Sequence, residues 1–406
     1  MIISNILDIL QYLLLIYLGF SACYLLFFAI SSYFYKENKY VRSDDLQRRF
    51  LILIPAYKED SVIINTATEA LKQDYPSDLY DVYVIADSFE PKTLEVLNRT
   101  DGVGCIEVSF VHSTKARSIN KALKFVKDDY DGVIILDADN IMDLDFIRKV
   151  NIAMSNGEKA IQGHRVAKNH DTSFAILDAL SEEINNTIFR KGHVAVGISS
   201  ALIGSGMAFD FNLYKTIMDD IDTFADEDKE LEIKLLRSWN KISYLNDAYV
   251  YDEKVSNSKV FVKQRSRWIS SQIYYARIFL FKSIKDLFAH SNYDFFDKMV
   301  QLILVPRILL LGISFIMTVI SIFVSGDLFL YSWSAVLLAC VLALILSVPK
   351  LFYNRQTAIA IMSLPYGFLM MVLAIFKIKL GHKRLSPTPH YTTTNVKGKK
   401  AKTNLE

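Results

Sequence analysis

Hydrophobic positions fall into distinct regimes along the 406 residues. From Ile6 to Phe34 the chain is almost continuously apolar, interrupted only by Asp8, Gln11 and small polar residues. A helix needs roughly 20 apolar residues to cross a bilayer core, so this run predicts one spanning helix with length to spare. Met1-Ile2-Ile3-Ser4-Asn5 lacks a basic residue and the run is long for a leader, which argues against a signal peptide. Lys36, Lys39, Arg42, Arg48 and Arg49 follow it. The positive-inside rule then puts the N-terminus outside and the chain after residue 36 in the cytosol.

From Phe50 short apolar runs alternate with helix-spaced segments. Phe50-Leu51-Ile52-Leu53-Ile54 reads as a buried parallel strand ended by Pro55, residues 81–86 as a second strand and 132–136 as a further one. Residues 62–72 and 116–126 have helical spacing between them. This alternation predicts an α/β fold, a doubly wound, mostly parallel sheet covered on both faces. Ligands of such sheets bind beyond the carboxyl ends of the strands. That selects Tyr57, Lys58 and Glu59, then Asp87 and Ser88, then Asp137, Asp139 and Asn140.

Past Tyr244 the pattern changes again. Through residues 260–288 aromatic and aliphatic side chains interleave with Lys263, Arg265, Arg267, Arg277, Lys282 and Lys285, which suits helices lying on a membrane surface. Three apolar runs follow, at about 308–324, 328–348 and 358–376. Four full spans with an outside N-terminus would leave the tail outside, yet Lys377, Lys379, Lys383 and Arg384 argue for inside. Pro349 and Pro365 mark the last run as the one that is re-entrant or interfacial.

Composition narrows the function classes. Lys+Arg number 46 against 44 Asp+Glu, a net charge of +2, so no global charge points to nucleic acid. Hydrophobic residues make up 51% but crowd toward the two ends. Cys23, Cys105 and Cys340 have neither metal-ligand spacing nor a disulfide framework, and Cys105 fits a reduced cytosolic domain.

Candidate chemistry sits where the strands end. Asp137-Ala138-Asp139 offers two carboxylates directly after a strand, oxygen ligands of the kind Mg²⁺ or Mn²⁺ take with substrate phosphates. A solvated acidic turn would look the same. Asp87 can accept from a nucleobase or ribose, or serve as a turn or cap residue. Lys115, near a helix start, can reach a phosphate or simply face water. Asp226-Glu227-Asp228 opens an amphipathic run, where acids complement the helix dipole; mutual repulsion can also raise one of them toward a base's useful range. Gly204-Ser205-Gly206 allows a ligand close to the backbone or makes a tight turn. Gln264-Arg265-Ser266-Arg267-Trp268 sets a cation beside an indole, suited to phosphate and sugar or to interfacial anchoring.

In this order, Pro55-Ala56-Tyr57-Lys58-Glu59, Asp87, Lys115-Ala116 with Asn120, Asp137-Ala138-Asp139, Gly204-Ser205-Gly206, Glu227-Asp228 and Gln264-x-x-Arg267-Trp268 resemble the family 2 glycosyltransferases. The specific likeness is to the membrane-embedded cellulose synthase-like branch, with its chitin-oligosaccharide and poly-N-acetylglucosamine synthases. It runs from about residue 55 to residue 268. The resemblance implies a GT-A fold and an inverting, metal-dependent, processive enzyme that forms a β-linked polysaccharide from a UDP-sugar. Position by position it implies that Tyr57, Glu59, Asp87, Lys115 and Asp137 hold the donor nucleotide, that Asp139 binds Mg²⁺ or Mn²⁺, and that Asp228 is the catalytic base. Gln264, Arg267 and Trp268 would close on the diphosphate and acceptor, and Gly204, Ser205, Gly206 and Glu227 would line the acceptor. Asp226 stands where the family more usually has Thr, and fewer apolar runs follow the catalytic domain than in cellulose synthase.

The expected organisation is an N-terminal transmembrane helix (1–36), a cytosolic GT-A domain (37–258), interfacial helices with the Gln-x-x-Arg-Trp motif (259–300), a C-terminal transmembrane region (301–380) and a basic tail (381–406). Within the tail, Ser386-Pro387-Thr388-Pro389-His390 is weakly similar to the family's mobile loop over the donor. The expected location is a cell membrane, multi-pass, with a growing glycan or a lipid-linked molecule as acceptor and accessory export or assembly proteins as partners. Two other readings stand beside polymer synthesis: transfer of one sugar to a lipid-linked acceptor, and a nucleotide-sugar sensor or scaffold without turnover.

Overall fold

The structure, a computed structural model, describes residues 2–37, 46–223, 226–254, 258–324 and 327–378. Lys39, Arg42 and the tail with its Ser-Pro-Thr-Pro-His segment lie outside them. In chain order the helices are α1 (Ile2–Ser31), α2 (Ile63–Ala70), α3 (Pro91–Arg99), α4 (Lys115–Phe125), α5 (Phe146–Ser155), α6 (Ser173–Asn185), α7 (His193–Ala195), α8 (Phe211–Asp219), α9 (Glu227–Arg237), α10 (Ser258–His290), α11 (Tyr293–Ile303), α12 (Arg307–Val324), α13 (Asp327–Ser347), α14 (Arg355–Ile361) and α15 (Leu364–Phe376). The strands are β1 (Phe50–Tyr57), β2 (Tyr80–Asp87), β3 (Val103–Val108), β4 (Gly132–Ile135), β5 (Ile141–Met142), β6 (Ala160–Ala167), β7 (Met207–Asp210) and β8 (Ser243–Asp252).

These strands form one sheet in the order β3-β2-β1-β4-β7-β6-β8-β5. The β3-β2-β1-β4 half is parallel throughout; β1, β2 and β4 correspond to the three runs marked in the sequence, and β3 is an addition to them. β7 is antiparallel to β4 and β6, β8 runs parallel to β6, and β5 is antiparallel to β8. The sheet is mixed, with helices on both faces, the arrangement of a GT-A domain. Side-chain alternation divides the core: Leu51, Leu53, Val133, Ile135 and Phe209 pack under α4, α8 and α9, while Phe50, Ile52, Ile54, Val82, Val84 and Ile134 pack under α2 and α5. Each such side chain contributes about 1.5–3 kcal/mol when fully buried.

β1 runs through Pro55 to Tyr57, past the expected stop. The backbone groups of Leu53 face β4, since its carbonyl accepts the Leu136 N–H at 3.0 Å. Pro55 faces the same way by alternation, but pairing with β4 ends at Leu53↔Ile135, so no ladder N–H is missing there. β1 and β2 then end on left-handed residues, Lys58 (φ 56°) and Ser88 (φ 61°), which turn both chains at the carboxyl edge.

The segment 259–300 holds the 33-residue α10, unbroken through residues 260–288, and the greater part of α11. Its Tyr275 and Ala276, with Phe295 and Met299 of α11, complete the core beneath α9. A third core joins α1, α6, α12 and α13 around Leu18, Leu25, Trp333 and Cys340. Two helical segments, Asp8–Phe34 and Asp327–Ser347, are long and apolar enough to cross a membrane. The count rises to four if Tyr293–Ile303 with Arg307–Phe323 (bent 58°) and Arg355–Ile361 with Leu364–Phe376 (bent 47°) each make one span. The last apolar run is thus broken next to Pro365.

Between α6 and α7 the residues Asn186–Gly192 form a π-helical segment that carries α1. His193 stacks on Phe28 with centroids 3.7 Å apart, and Tyr24 bonds both His193 (2.9 Å) and Asp297 (2.7 Å). A Cβ on Gly192 would sit 2.2 Å from the Phe28 carbonyl oxygen, a backbone atom with little room to move. Gly192→Ala is therefore expected to destabilise the protein by about 1–3 kcal/mol, the usual range for overpacking. Gly19→Ala, whose Cβ would stand 3.6 Å from Val336, should be tolerated. Melting temperatures of the two variants in the same detergent check this; equal values would refute it.

Candidate active site

Four elements converge where β4 ends. Thr114 caps α4 by accepting the Arg117 N–H, which fixes Lys115 as its first residue. The Lys115 ammonium lies 2.6 Å from Asp137 Oδ1, 2.7 Å from the Gly204 carbonyl and 3.3 Å from Glu227 Oε1. Burial alone would lower its pKa, but the Asp137 and Glu227 carboxylates outweigh it and the pKa rises. Glu227 moves upward as well, because burial and neighbouring Asp228 disfavour its charge more than Lys115 favours it.

The loop facing this cation needs both its glycines. Gly204 (φ 83°) and Gly206 (φ 63°) are left-handed. A Cβ on Gly204 would stand 3.3 Å from Asp228 Oδ2, and one on Gly206 would press on Val250 at 2.8 Å. Between them the Ser205 hydroxyl accepts the Asp137 N–H (2.9 Å) and donates to Asn140 Oδ1 (2.5 Å). Asp137, Gly204, Ser205, Glu227 and Asp228, five of the sequence-selected residues, are thus held around Lys115.

Asp139 makes a different set of contacts. Its buried carboxylate accepts from the Asn140 side chain (3.2 Å) and from the Glu253 N–H (3.2 Å). Asn140 also donates to Asp252 (2.9 Å), which pairs with Lys254 at 2.7 Å. Glu182 completes the cluster, 2.9 Å from Arg165, 3.2 Å from Arg190 and 3.6 Å from Lys254. Burial would raise the Glu182 carboxyl, but these three cations hold it down at about 2. None of Arg165, Glu182, Asp252 or Lys254 was selected from the sequence. The one available signal was an arginine inside the β6 run Ala-Ile-Gln-Gly-His-Arg-Val-Ala, with nothing to name its partners.

Asp87 is buried at the end of β2 in register with Tyr57, accepting from Ser88 (2.9 Å) and from Ser118 of α4 (3.3 Å). Lys115 and Ser118 are one turn apart, so a single face of α4 bridges Asp87 and Asp137. Glu59 follows the Lys58 turn and its carbonyl receives the Val62 and Ile63 N–H groups. Of the α10 motif, Arg267 approaches Asp226 at 3.6 Å. Burial would raise the Asp226 carboxyl, yet Lys229 and Arg267 lower it, and it makes no side-chain cap to α9. Gln264 Oε1 is buried with no partner among the described residues, and Trp268 lies under Arg265 at 4.4 Å rather than against the acidic cluster.

Among the described residues no three His, Cys, Asp or Glu side chains form a metal cage. Asp137 and Asp139 supply hard oxygen donors at a strand end, and Lys115 brings positive charge to the Asp137 carboxylate. That donor set fits a Mg²⁺- or Mn²⁺-class ion whose remaining ligands come from a diphosphate, a common arrangement for such ions.

Comparison with known proteins bears on the family and the fold. A model of the glycosyltransferase-like family 2 matches residues 47–271. The probable glycosyltransferase YdaM of Bacillus subtilis is 24% identical over 248 residues, 58% of this chain and 57% of that protein. Cellulose synthase 2 of Novacetimonas hansenii is 30% identical over 99 residues, 24% of this chain and 6% of that protein. The chain therefore spans little more than half the length of the first of these relatives and a small part of the second. Among solved structures, the Pyrobaculum calidifontis mannosyltransferase PcManGT, in complex with GDP-Man and Mn²⁺, superposes with a TM-score of 0.57 at 16% identity, covering 90% of this chain and 98% of that one. At that identity the likeness is one of fold.

The buried cluster yields a stability prediction. Glu182→Gln leaves three buried cations short of a carboxylate and should cost about 3–5 kcal/mol, the range for breaking a buried pair. The Glu182 pKa falls from 4.5 to about 2 on folding. Its contribution is therefore fully present above pH 4.5 and lost as pH drops toward 2. Thermal unfolding of both proteins from pH 7 to pH 3 should show the gap narrowing with acid; a pH-independent gap would contradict the assignment.

Proposed function

The chain belongs to glycosyltransferase family 2, and from that premise we propose that it is a membrane-bound, inverting, metal-dependent transferase that uses a UDP-sugar and extends a β-linked glycan. The observation that carries this reading is the meeting of Lys115, Asp137, Gly204, Glu227 and Asp228 at one strand edge. The exposed apolar faces of α1, α12 and α13, with Ile16, Phe323 and Leu328 among their outward side chains, support the membrane association. The sequence similarity to cellulose synthase supports polymer synthesis.

In this mechanism Tyr57, Glu59 and Asp87 hold the nucleoside, and Lys115 turns one N–H from Asp137 to the donor phosphates while it keeps the Gly204 carbonyl. Asp139 with Asp137 would hold a divalent ion, which would supply positive charge to the departing diphosphate. Asp228 Oδ2, facing the glycine loop, takes the proton of the acceptor hydroxyl. The hydroxyl oxygen attacks the anomeric carbon from the side opposite UDP, the bond to the β-phosphate oxygen breaks, and its electron pair leaves on UDP. Arg267, close to Asp226, neutralises that charge as α10 closes. Inversion turns an α-linked donor into a β-linkage. Gly204, Ser205, Gly206 and Glu227 line the acceptor, with Gln264 and Trp268 at its membrane side. The proposed division remains a transmembrane helix to residue 36, a cytosolic catalytic domain to 258, the motif-bearing helical segment to 300, and membrane helices beyond it.

The aromatic and basic face of α10 favours a second reading, transfer of one sugar to a lipid-linked acceptor. Incubating the full chain with Mg²⁺ or Mn²⁺ and a panel of UDP- and GDP-sugars, then measuring nucleotide release and product length, separates the readings. Release from a UDP-sugar with a ladder of products is expected; a single added residue would eliminate processivity. Asp228→Asn should lower turnover by at least 100-fold while leaving donor affinity within about threefold, in keeping with loss of a general base. Retained turnover in that variant would eliminate the assignment of Asp228.

A further inference from the structure

Two arginines on different helices reach the same face of α6. Arg265 of α10 pairs with Asp178, and Arg307 of α12 donates to the Ser181 carbonyl (3.0 Å) and hydroxyl (2.9 Å). Asp178 and Ser181 are three residues apart, neighbours on one helical face. Each guanidinium keeps a buried N–H with no partner among the described residues, Nε on Arg265 and Nη1 on Arg307. Arg307 makes no ion pair among those residues, its Nη2 being spent on Ser181. Two cations with one directly bonded carboxylate between them, and two unfilled donors, are a poor arrangement for a protein alone. A buried polar donor without a partner costs about 1–3 kcal/mol.

The donor diphosphate is not what fills this place. Arg265 and Arg267 are two residues apart on α10, about 200° around the helix. Arg267 faces Asp226 and the catalytic cluster, while Arg265 faces α6 with its guanidinium over Trp268 (4.4 Å) and Phe261 (5.0 Å). From Arg307, α12 continues as an apolar helix with Phe315, Ile316 and Val319 exposed along it. We propose that Arg265 and Arg307 form a second anion site that binds the phosphate of a lipid-linked molecule, on the face of α10 opposite the donor. Guanidinium forks match phosphate oxygens, and the flanking apolar helix suits a lipid chain. The proposal rests on the reading of the protein as a membrane-bound transferase and names the chemistry of its acceptor or bound lipid.

The test uses the full chain in nanodiscs of phosphatidylcholine, loaded with radiolabelled polyprenyl phosphate or with the matching phosphate-free polyprenol. The wild type is expected to retain the phosphorylated lipid at least tenfold better. Arg307→Gln should abolish that preference and Arg307→Lys should keep part of it, while UDP-sugar binding stays unchanged in both. Equal retention of the two lipids by the wild type overturns the proposal whether or not the variants fold. An undiminished preference in Arg307→Gln overturns it too, and displacement by millimolar inorganic phosphate overturns the lipid source in favour of the free anion. Nucleotide release measured on the same preparations keeps the two failures apart. Release without lipid-phosphate preference sinks this site alone, and preference without release sinks the transferase reading alone.

Discussion

The ammonium group of Lys115 closes the candidate site. Asp137 comes from the end of β4, the Gly204 carbonyl from the loop before β7, Glu227 from the first turn of α9, and the lysine itself from the first turn of α4. Nothing in local structure obliges these four pieces to meet. Three carboxylates gathered in a partly dry place repel one another, and without a central cation the site would spread or take up protons. Asp228 keeps its place against Gly204 only while that loop is held, and the loop is held through its carbonyl by Lys115 and through Ser205 by Asp137 and Asn140.

Beneath this layer lies a second set of charges, Arg165, Arg190 and Lys254 with Glu182 and Asp252. A pair of this kind adds little net stability once desolvation is counted, yet removing one member is costly. Its use here is placement. The cluster grips Asn140, and through Asn140 both the Asp139 carboxylate and Ser205, so the two aspartates of Asp-Ala-Asp are fixed from below. The same β6 and α6 residues border the third core, so the sheet, the π-helical segment and α1 share one set of contacts.

Much of this was legible in the sequence because it depends on short-range pattern. The strands carrying Tyr57, Asp87 and Asp137 are uninterrupted apolar runs, and the position of those polar residues at strand ends follows from topology alone. The far half of the sheet was not legible. β6 carries Gln162, His164 and Arg165 and β8 carries Asn246 and Asp247, so neither alternates cleanly between apolar and polar. Their polar residues are satisfied by partners distant in sequence, and no spacing rule anticipates that. The roles within Asp226-Glu227-Asp228 also needed coordinates, because adjacent residues on a first helical turn face three different neighbours: Lys229 and Arg267, Lys115, and Gly204. The opposite facing of Arg265 and Arg267 follows once α10 is known to be unbroken, a continuity that the mixed aromatic and basic composition does not reveal. A π-helical segment has no compositional mark at all.

The docking of α1 has a consequence for how the molecule is made. Tyr17 bonds the carbonyl of Ile303, 286 residues later, and Tyr33 that of Leu346, 313 residues later. A helix that precedes the whole sheet is therefore covered by helices that follow it. Contacts at such separation form late, since the entropy of closing the intervening loop precedes any gain from them. The sheet, built mostly from nearby strands, can be complete while α1 still waits for α13. During that interval the face of α1 that meets α13, with Tyr12 and Gly19, has no mate within the chain. Another surface, lipid or protein, must cover it until α13 arrives.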